Sequence, residues 1–289
     1  MSKKNILVTG ANGQLGSEIQ YLATDFTQYN FFFTDASELD ITKKESLAQY
    51  IEENKIQAII NCAAYTAVDK AESDKNLADK INNIAVGYLA EIAQVNKIGL
   101  IHISTDYIFD GKGYEPYKVD HPSSPVNMYG KTKLDGEQKM LEINPPSSLI
   151  IRTSWVYSSF GGNFVKTMLK LADEREELKV IADQVGAPTY ARDLAKFILD
   201  KTLDIQNEKV EIYHYTNEGV CSWYDFAKTI ISLGNKNCKV NPVPTTEYPT
   251  PAKRPFYSLM DKNSLKSKFN IEIPYWKDSL EDCLKIIQK

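Results

Sequence analysis

The feature that most constrains this chain is a glycine-rich segment directly after its first apolar run. Residues 5–9 are typical of a buried strand, and Gly10, Gly13 and Gly16 then follow with G-x-x-G-x-x-G spacing before a helical pattern begins. The first glycine permits a tight turn, the second lets backbone N–H groups approach a phosphate, and the third lets the helix pack closely on the strand. The segment therefore predicts a strand, a phosphate-binding turn and a helix.

An acidic residue at the end of the second apolar run extends this prediction to a dinucleotide. Asp35 follows residues 31–34, where a Rossmann fold places the carboxylate that binds the adenine ribose hydroxyls. A glycine-rich turn without a ligand is the alternative. Because Asp35 should repel a 2′-phosphate, we expect NADH or NADPH as cofactor, with NADH preferred. Thr34 and Ser37 leave NADPH open, since their hydroxyls could bind a phosphate.

Strand and helix patterns alternate along the rest of the chain. Predicted strands cover 30–34, 57–62, 99–105, 148–154 and 212–216; predicted helices cover 15–23, 77–95, 164–172, 191–203 and 223–233, with others starting at Thr42, Tyr129 and Pro274. This alternation predicts an α/β fold, a Rossmann doubly wound parallel sheet with a smaller C-terminal substrate-binding lobe. We expect residues 1–155 and 190–216 to form the dinucleotide-binding domain, and residues 156–189 and 217–289 to form the lobe.

Composition excludes several classes of function. The 289 residues carry a net charge of −4, which argues against a nucleic-acid partner. No apolar run could span a bilayer and no signal-peptide pattern is present, so we expect a cytoplasmic protein without a membrane partner. The cysteines are scattered and read as reduced thiols, and the three histidines are too dispersed for a zinc site.

The strongest chemical signal is Tyr129 with Lys133, one helical turn apart on the same face. A phenol titrates near pH 10, and a neighbouring ammonium favours the phenolate, which brings proton exchange closer to neutral pH. Thr105, at the end of the fourth strand, offers a hydroxyl to a carbonyl oxygen, as does Ser104. The Y-x-x-x-K pattern alone is common. Following a dinucleotide motif, it predicts reduction of a ketone, with hydride from nicotinamide and a proton from Tyr129.

These motifs together resemble the extended short-chain dehydrogenase/reductases, and longer phrases resemble the dTDP-4-dehydrorhamnose reductase family within them. The phrases are residues 13–16, 61–72, 104–111, 129–131, 152–157 and 186–189, and the resemblance continues to Arg254. It implies NAD(P)H-dependent reduction of the C4 keto group of dTDP-4-dehydro-6-deoxy-L-mannose to dTDP-L-rhamnose, in dTDP-rhamnose biosynthesis. The predicted lobe would then bind the sugar nucleotide.

The resemblance also implies roles for single residues. Tyr129 would be the proton donor, Lys133 its partner and Thr105 the group that polarises the carbonyl. The expected cofactor-binding residues are Gly10, Gly13, Gln14, Leu15, Gly16, Asp35, Asp40, Ile41, Ala63, Ala64, Tyr65, Thr66, Tyr129 and Lys133. The expected substrate-binding residues are Thr105, Asp106 and Trp155, to which we add Arg254 as a hypothesis.

Some members of this family dimerise through magnesium held by glutamates on two helices. Glu18 matches the first-helix acid, but Arg192 places a cation where a ligand is wanted, and hard cations need oxygen ligands. We therefore expect no metal ion, a solvated Glu18, and a monomer or weak dimer.

Two other functions fit the same fold. One is a non-catalytic NADP-binding regulatory subunit, as in the related beta subunit of methionine adenosyltransferase; a pure binding protein has no need of Tyr129, Lys133 and Thr105. The other is a different sugar-nucleotide reductase, an epimerase or a dehydratase. Asp106 follows Thr105, so a dehydratase is not excluded by the local chemistry. However, Tyr107 stands where the second acid of an Asp-Glu pair is expected.

Overall fold

A six-stranded parallel sheet, in the order β10-β5-β4-β3-β1-β2, lies at the centre of the computed structural model, which describes residues 3–288. The strands are β1 Lys4–Thr9, β2 Tyr29–Thr34, β3 Ala58–Asn61, β4 Gly99–Thr105, β5 Leu149–Thr153, β6 Val156–Tyr157, β7 Glu177–Ile181, β8 Val185–Gly186, β9 Thr189–Tyr190, β10 Glu211–His214, β11 Cys221–Ser222 and β12 Lys239–Val243. The strand order reverses at β1, so the predicted doubly wound sheet is confirmed.

Helices cover both faces of this sheet. They are α1 Gln14–Leu22, α2 Lys44–Glu53, α3 Val68–Ala71, α4 Lys75–Asp79, α5 Ala85–Asn96, α6 Met128–Ile143, α7 Phe164–Glu174, α8 Ala191–Lys201, α9 Trp223–Leu233, α10 Asn263–Phe269 and α11 Trp276–Ile287. Alternate strand residues feed two cores: Val8 packs with α1 and α8, and Leu7 packs with α2 and α5. Because both faces are covered, the strands are apolar almost throughout.

A third core lies away from the sheet. It joins α7, α9 and α11, with Phe226 and Leu280 completely buried. The short strand pairs β11 with β8, β12 with β7 and β6 with β9 belong to this region. Helix α10 packs instead against the edge strand β10, and its Leu265 belongs to the same core as Val8. The boundaries of the predicted lobe stay a prediction.

The predicted helix 77–95 is confirmed, but the structure adds one feature and corrects another prediction nearby. The helical segment contains a π-helical turn at Lys80–Ile84, between α4 and α5. In that turn, Asn82 accepts a bond from Tyr65 N (2.9 Å) and donates to Tyr65 O (3.1 Å). Thr42 is not the N-cap of α2, because its hydroxyl donates to Asp40 Oδ1 (2.7 Å) and the helix begins one residue after Lys43.

Two further findings concern the cysteines and the search for membrane-spanning helices. All four cysteines are free thiols, as expected. Across residues 3–288, no helix is long and apolar enough to cross a membrane.

Candidate active site

A cavity of ≈ 980 Å³ lies beyond the carboxyl ends of the parallel strands, where ligands of open α/β sheets bind. Most residues predicted for the site line it: Gly10, Gly13, Gln14, Leu15, Asp35, Asp40, Ile41, Ala63, Ala64, Thr66, Thr105, Asp106, Tyr129, Lys133 and Trp155. Gly16, Tyr65 and Arg254 are not among its lining residues. The fold thus brings distant parts of the sequence to one cavity, while their individual roles stay predictions.

The glycine-rich turn has the shape that a phosphate site needs. Gly10 has φ +65°, and a Cβ there would lie 2.7 Å from Ala63 N, so only glycine fits. Gly13 is the N-cap of α1, and no side chain caps this helix. The first N–H groups of α1 are therefore free to bind an anion, as a dinucleotide pyrophosphate requires.

Gly16 lies outside the cavity for a reason that the sequence indicated. A Cβ at Gly16 would lie 2.4 Å from the carbonyl oxygen of Gly10. Helix α1 packs so closely on the turn that no side chain fits between them. Gly16 therefore shapes the site through packing.

Backbone N–H groups and a hydroxyl group orient the two carboxylates at one end of the cavity. Asp35 accepts from Asn12 N (3.1 Å) through Oδ2 and from Ala36 N (2.7 Å) through Oδ1. The Thr42 hydroxyl bond holds the pKa of Asp40 below its usual range, with smaller contributions from nearby lysines. Both carboxylates are thus fixed in orientation next to the phosphate turn.

The start of α6 is anchored from two sides. Asn127 is the N-cap, accepting from Gly130 N (2.8 Å), and its amide donates to Lys253 O (2.7 Å). A Cβ at Gly130 would lie 2.1 Å from Tyr107 O, so the helix start lies directly against the segment after β4. The rings of Tyr107 and Tyr129 meet edge to face, with centroids 5.5 Å apart. Tyr129 is thereby held at the cavity.

The electrostatics of Tyr129 differ from the prediction. Burial raises the pKa of Tyr129 to about 12, the Thr105 hydroxyl opposes this rise and the Asp106 carboxylate adds to it. Lys133 Nζ donates to Ile103 O (2.6 Å) on β4, and burial lowers its pKa to about 8. The predicted lowering of the Tyr129 pKa by Lys133 is therefore wrong for this arrangement. The phenol keeps its proton at neutral pH and is poised as an acid.

Thr105 and Asp106 form the opposite wall. Thr105 Oγ1 donates to Asp106 Oδ1 (3.0 Å) and accepts from Tyr107 N (3.2 Å). Asp106 is 2 % exposed, and burial raises its pKa to about 7, which the Thr105 hydroxyl opposes. A carboxyl group with this pKa exchanges protons readily near neutral pH.

Trp155 brings an aromatic face to the cavity. It has φ +49° and stacks on Trp223, with centroids 3.7 Å apart and planes at 13°. A Cβ at Gly186 would lie 3.0 Å from Trp155 Cε2, so a glycine is needed behind the indole. The stack fixes Trp155 and suits it to binding a flat or sugar-like group.

Two predicted site residues are engaged elsewhere. The Tyr65 hydroxyl donates to Asp74 Oδ2 (3.0 Å). Arg254 forms a two-pronged ion pair with Asp69, with Nη1–Oδ1 at 2.8 Å and Nη2–Oδ2 at 2.7 Å. The pair fixes the Pro-rich loop to the segment after β3, so any role of Arg254 in substrate binding starts from this paired position.

Several lining residues were not predicted from the sequence. They include Lys80 and the Gly161–Gly162 turn. Gly161 has φ +62° and lies so near the phosphate turn that its Cβ would be 3.3 Å from Gln14 Cγ. The glycine doublet itself was the available signal, because two adjacent glycines after a strand pattern indicate close backbone approach.

Glu18 is buried, and its prediction as a solvated acid is wrong. It is 0 % exposed, its Oε2 accepts from Arg192 Nε (2.7 Å) and its Oε1 accepts from Ser158 Oγ (2.6 Å). A carboxylate buried at this depth without a counter-charge would destabilise the folded protein. The Arg192 guanidinium supplies that counter-charge. Within residues 3–288, no group of three or more His, Cys, Asp or Glu side chains has the geometry to hold a metal ion.

Comparison with known proteins agrees with this geometry. A model of the family described as RmlD substrate binding domain matches residues 4–289. The chain belongs to this family. The dTDP-4-dehydrorhamnose reductase of Aggregatibacter actinomycetemcomitans is 41% identical over 286 residues, covering 96% of this chain and 97% of that protein. The resemblance inferred from the sequence is thereby confirmed.

Solved structures of RmlD-type proteins match the fold over the full length. A dTDP-4-dehydrorhamnose reductase from Clostridium acetobutylicum matches with a TM-score of 0.93 and 43% identity, covering 99% of this chain and 100% of that chain. The dTDP-4-dehydrorhamnose reductase from Bacillus anthracis, in complex with NADP, matches with a TM-score of 0.91 and 40% identity. This match covers 98% of this chain and 99% of that chain.

Proposed function

We propose that this chain reduces the C4 keto group of dTDP-4-dehydro-6-deoxy-L-mannose to give dTDP-L-rhamnose, in dTDP-rhamnose biosynthesis. The observation that carries this proposal is the meeting of Thr105, Tyr129 and Lys133 in the cavity that the phosphate turn also lines. Membership of the RmlD family, whose relatives here are named dTDP-4-dehydrorhamnose reductases, supports the identity of the ketone.

NADH or NADPH would bind along the glycine-rich side of the cavity. The N–H groups at the start of α1 suit the pyrophosphate, Asp35 suits the adenine ribose, and Ala63 and Ala64 allow backbone to approach the cofactor. When bound, the nicotinamide supplies a hydride. The related enzyme in complex with NADP supports a nicotinamide cofactor.

We keep the preference for NADH as a proposal. The Asp35 carboxylate would repel a 2′-phosphate, whereas both of its oxygens could still accept from ribose hydroxyls. Comparing kcat/KM for NADH and NADPH tests the preference, and equal or better use of NADPH would contradict it.

The chain's own residues would supply the proton and orient the oxygen. Tyr129 keeps its proton at neutral pH because burial raises its pKa to about 12, so it would donate to the carbonyl oxygen as negative charge develops there. The Thr105 hydroxyl would turn from Asp106 Oδ1 to donate to the same oxygen. Lys133, held by Ile103 O, would keep a positive charge near the phenol as its proton leaves.

The substrate would contact Asp106 and Trp155, which both line the cavity. Arg254 would help to hold the sugar nucleotide from its pair with Asp69. The Arg254→Ala variant should then raise the KM for the sugar nucleotide, and an unchanged KM would dispose of this role. A monomer or weak dimer in the cytoplasm without magnesium stays a prediction.

The reaction is tested with the purified protein, the dTDP-4-keto-6-deoxy sugar and reduced cofactor. We expect loss of the reduced cofactor's absorbance and formation of dTDP-L-rhamnose. A Tyr129→Phe variant serves as the control for a contaminating reductase. Turnover with GDP- or UDP-sugars and none with the dTDP-sugar would redirect the assignment, and binding of cofactor without any turnover would favour a regulatory subunit.

A further inference from the structure

A row of buried polar side chains crosses three strands and ends at Lys133. Thr9, Asn61 and His102 are register partners on β1, β3 and β4, so their side chains point to the same face of the sheet. Thr9 Oγ1 lies 2.7 Å from Asn61 Oδ1, and Asn61 Nδ2 lies 3.0 Å from His102 Nδ1. His102 Nε2 lies 3.4 Å from Lys133 Nζ.

Packing of the sheet does not require this row. Thr9, Asn61 and Lys133 are each 1 % exposed and His102 is 0 % exposed. Burying polar side chains is unfavourable unless they are hydrogen-bonded to one another, and an apolar residue is the ordinary occupant of a central parallel strand. The row therefore points to a function at the end where it meets the active-site cavity.

The Lys133 ammonium, at the cavity end of the row, has defined hydrogen-bond partners. An ammonium group has three donors. One goes to Ile103 O at 2.6 Å, and a second faces His102 Nε2. Strand β4 thus holds two of the three donors, and the third remains for the cavity that Lys133 lines.

The hydrogen bonds of this row can run in either of two directions, because the Asn61 amide has a donor on one side and an acceptor on the other. If Asn61 Nδ2 donates to His102 Nδ1, the ring hydrogen is on Nε2 and faces the lysine, which suits an uncharged amine. If the amide is turned over, His102 Nδ1 donates to Asn61 Oδ1 and Nε2 accepts from an ammonium. The Thr9 hydroxyl serves either orientation, since it donates and accepts.

We propose that His102 is a positioning residue that accepts a hydrogen bond from the Lys133 ammonium through Nε2, in the arrangement in which its Nδ1 donates to Asn61 Oδ1. This inference rests on the proposed reductase function. Burial and the Lys133 charge lower the pKa of His102 well below its usual range, so the ring stays neutral and keeps Nε2 free to accept.

The row also affects the charge of Lys133. A hydrogen bond to a charged group is stronger than one to a neutral group, so the row favours the ammonium over the amine. The other titratable groups around this amine are Cys62 after β3 and Tyr129 and Glu137 on α6, and Glu137 and Cys62 act in the same direction as the row. Removing the acceptor should therefore let Lys133 lose its proton at lower pH.

The first test is the pH profile of kcat for His102→Gln and His102→Leu. Glutamine keeps an acceptor near the position of Nε2, whereas leucine removes it. We expect the basic limb to move down by about one pH unit in His102→Leu and to stay within a few tenths of a unit of wild type in His102→Gln. The exposed His121, changed to Gln, is the matched control and should leave the profile unchanged. Coincident basic limbs in wild type and His102→Leu would overturn the proposal.

The second test needs neither substrate nor cofactor and does not depend on the folding of a leucine variant. The chain has three histidines, so ¹⁵N-histidine labelling gives three ring patterns, and His102→Gln identifies that of His102. At about pH 6 we expect a neutral ring with hydrogen on Nδ1. A ring with hydrogen on Nε2, or a charged ring, would overturn the proposal. If wild type turns over no dTDP-sugar, the proposed function fails, while the tautomer still decides whether Lys133 has this acceptor.

Discussion

The buried ion pair between Glu137 and Arg152 should be the most sensitive electrostatic contact of the fold. Arg152 on β5 is 4 % exposed and Glu137 on α6 is 1 % exposed. Arg152 Nη2 lies 2.7 Å and Nε 3.0 Å from the two carboxylate oxygens, and Nη1 donates to Val119 O (2.9 Å). Because α6 also carries Tyr129 and Lys133, this pair fixes the helix of the active site on the sheet.

The Glu137→Gln variant leaves the guanidinium buried without a counter-charge. Breaking a buried pair in this way costs about 3–5 kcal/mol. In a chain of this size one kcal/mol lowers Tm by about 2 °C, so we expect a fall of roughly 6–10 °C. The matched control is Asp135→Asn, which breaks the exposed pair with Lys131 on the same helix, where Lys131 is 57% exposed. That change should cost less than about 1 kcal/mol.

Thermal unfolding followed by circular dichroism measures both variants. The double variant Glu137→Met, Arg152→Met removes both charges and should recover most of the lost Tm, since an apolar pair of similar size replaces the ion pair at little cost. The reasoning is refuted if Glu137→Gln lowers Tm no more than Asp135→Asn, or if the double variant is no more stable than the single one.

Two further variants test packing and pH dependence. Gly16→Ala should lower Tm by about 2–6 °C through overpacking against Gly10 O, while Gly162→Ala, whose Cβ would meet no atom within 4 Å, should leave Tm nearly unchanged. Burial raises the pKa of Asp106 to about 7, so the folded state binds the extra proton and its stability falls as pH rises from about 4 through 7. Asp106→Asn should therefore be more stable than wild type at pH 8, by roughly 1.4 kcal/mol per unit of pKa shift, and the difference measured by Tm should vanish near pH 4.

Local signals in the sequence predicted much of the fold. The bounds of β4 and α9 match their predicted ranges, because each has a clear periodicity and a marked end. The glycine spacing and Asp35 likewise predicted residues that line the cavity, since these residues act through backbone shape and strand position.

The features that were missed depend on partners far away in the chain. Glu18 was predicted as solvated although the resemblance had placed Arg192 of α8 near it, because no local pattern shows that these two side chains form a buried pair within one chain. Helical spacing placed Lys133 on the same face as Tyr129, but only the structure showed that Ile103 O holds its amine. The π-helical turn at Lys80–Ile84 coincides with the bonds from Asn82 to the Tyr65 backbone, which no local pattern shows.

Strand β12 was missed for a related reason. It contains Pro242, which removes a backbone donor and argues against a strand in sequence. Within the described residues 3–288, β12 pairs only with β7, in a two-stranded sheet outside the central one. An edge position tolerates proline, but edge positions become visible only when the pairing is known.

The central claim is that this site transfers hydride to C4 of the sugar while Tyr129 supplies the proton. The most direct measurement uses cofactor carrying deuterium on its transferred position, with the dTDP-4-keto-6-deoxy sugar, for wild type and Tyr129→Phe. We predict one deuterium at C4 of the dTDP-L-rhamnose formed by wild type, and a fall in kcat of roughly 100-fold or more in the variant with its cofactor Kd within about twofold. Product without deuterium at C4, or a Tyr129→Phe variant as fast as wild type, would contradict the claim.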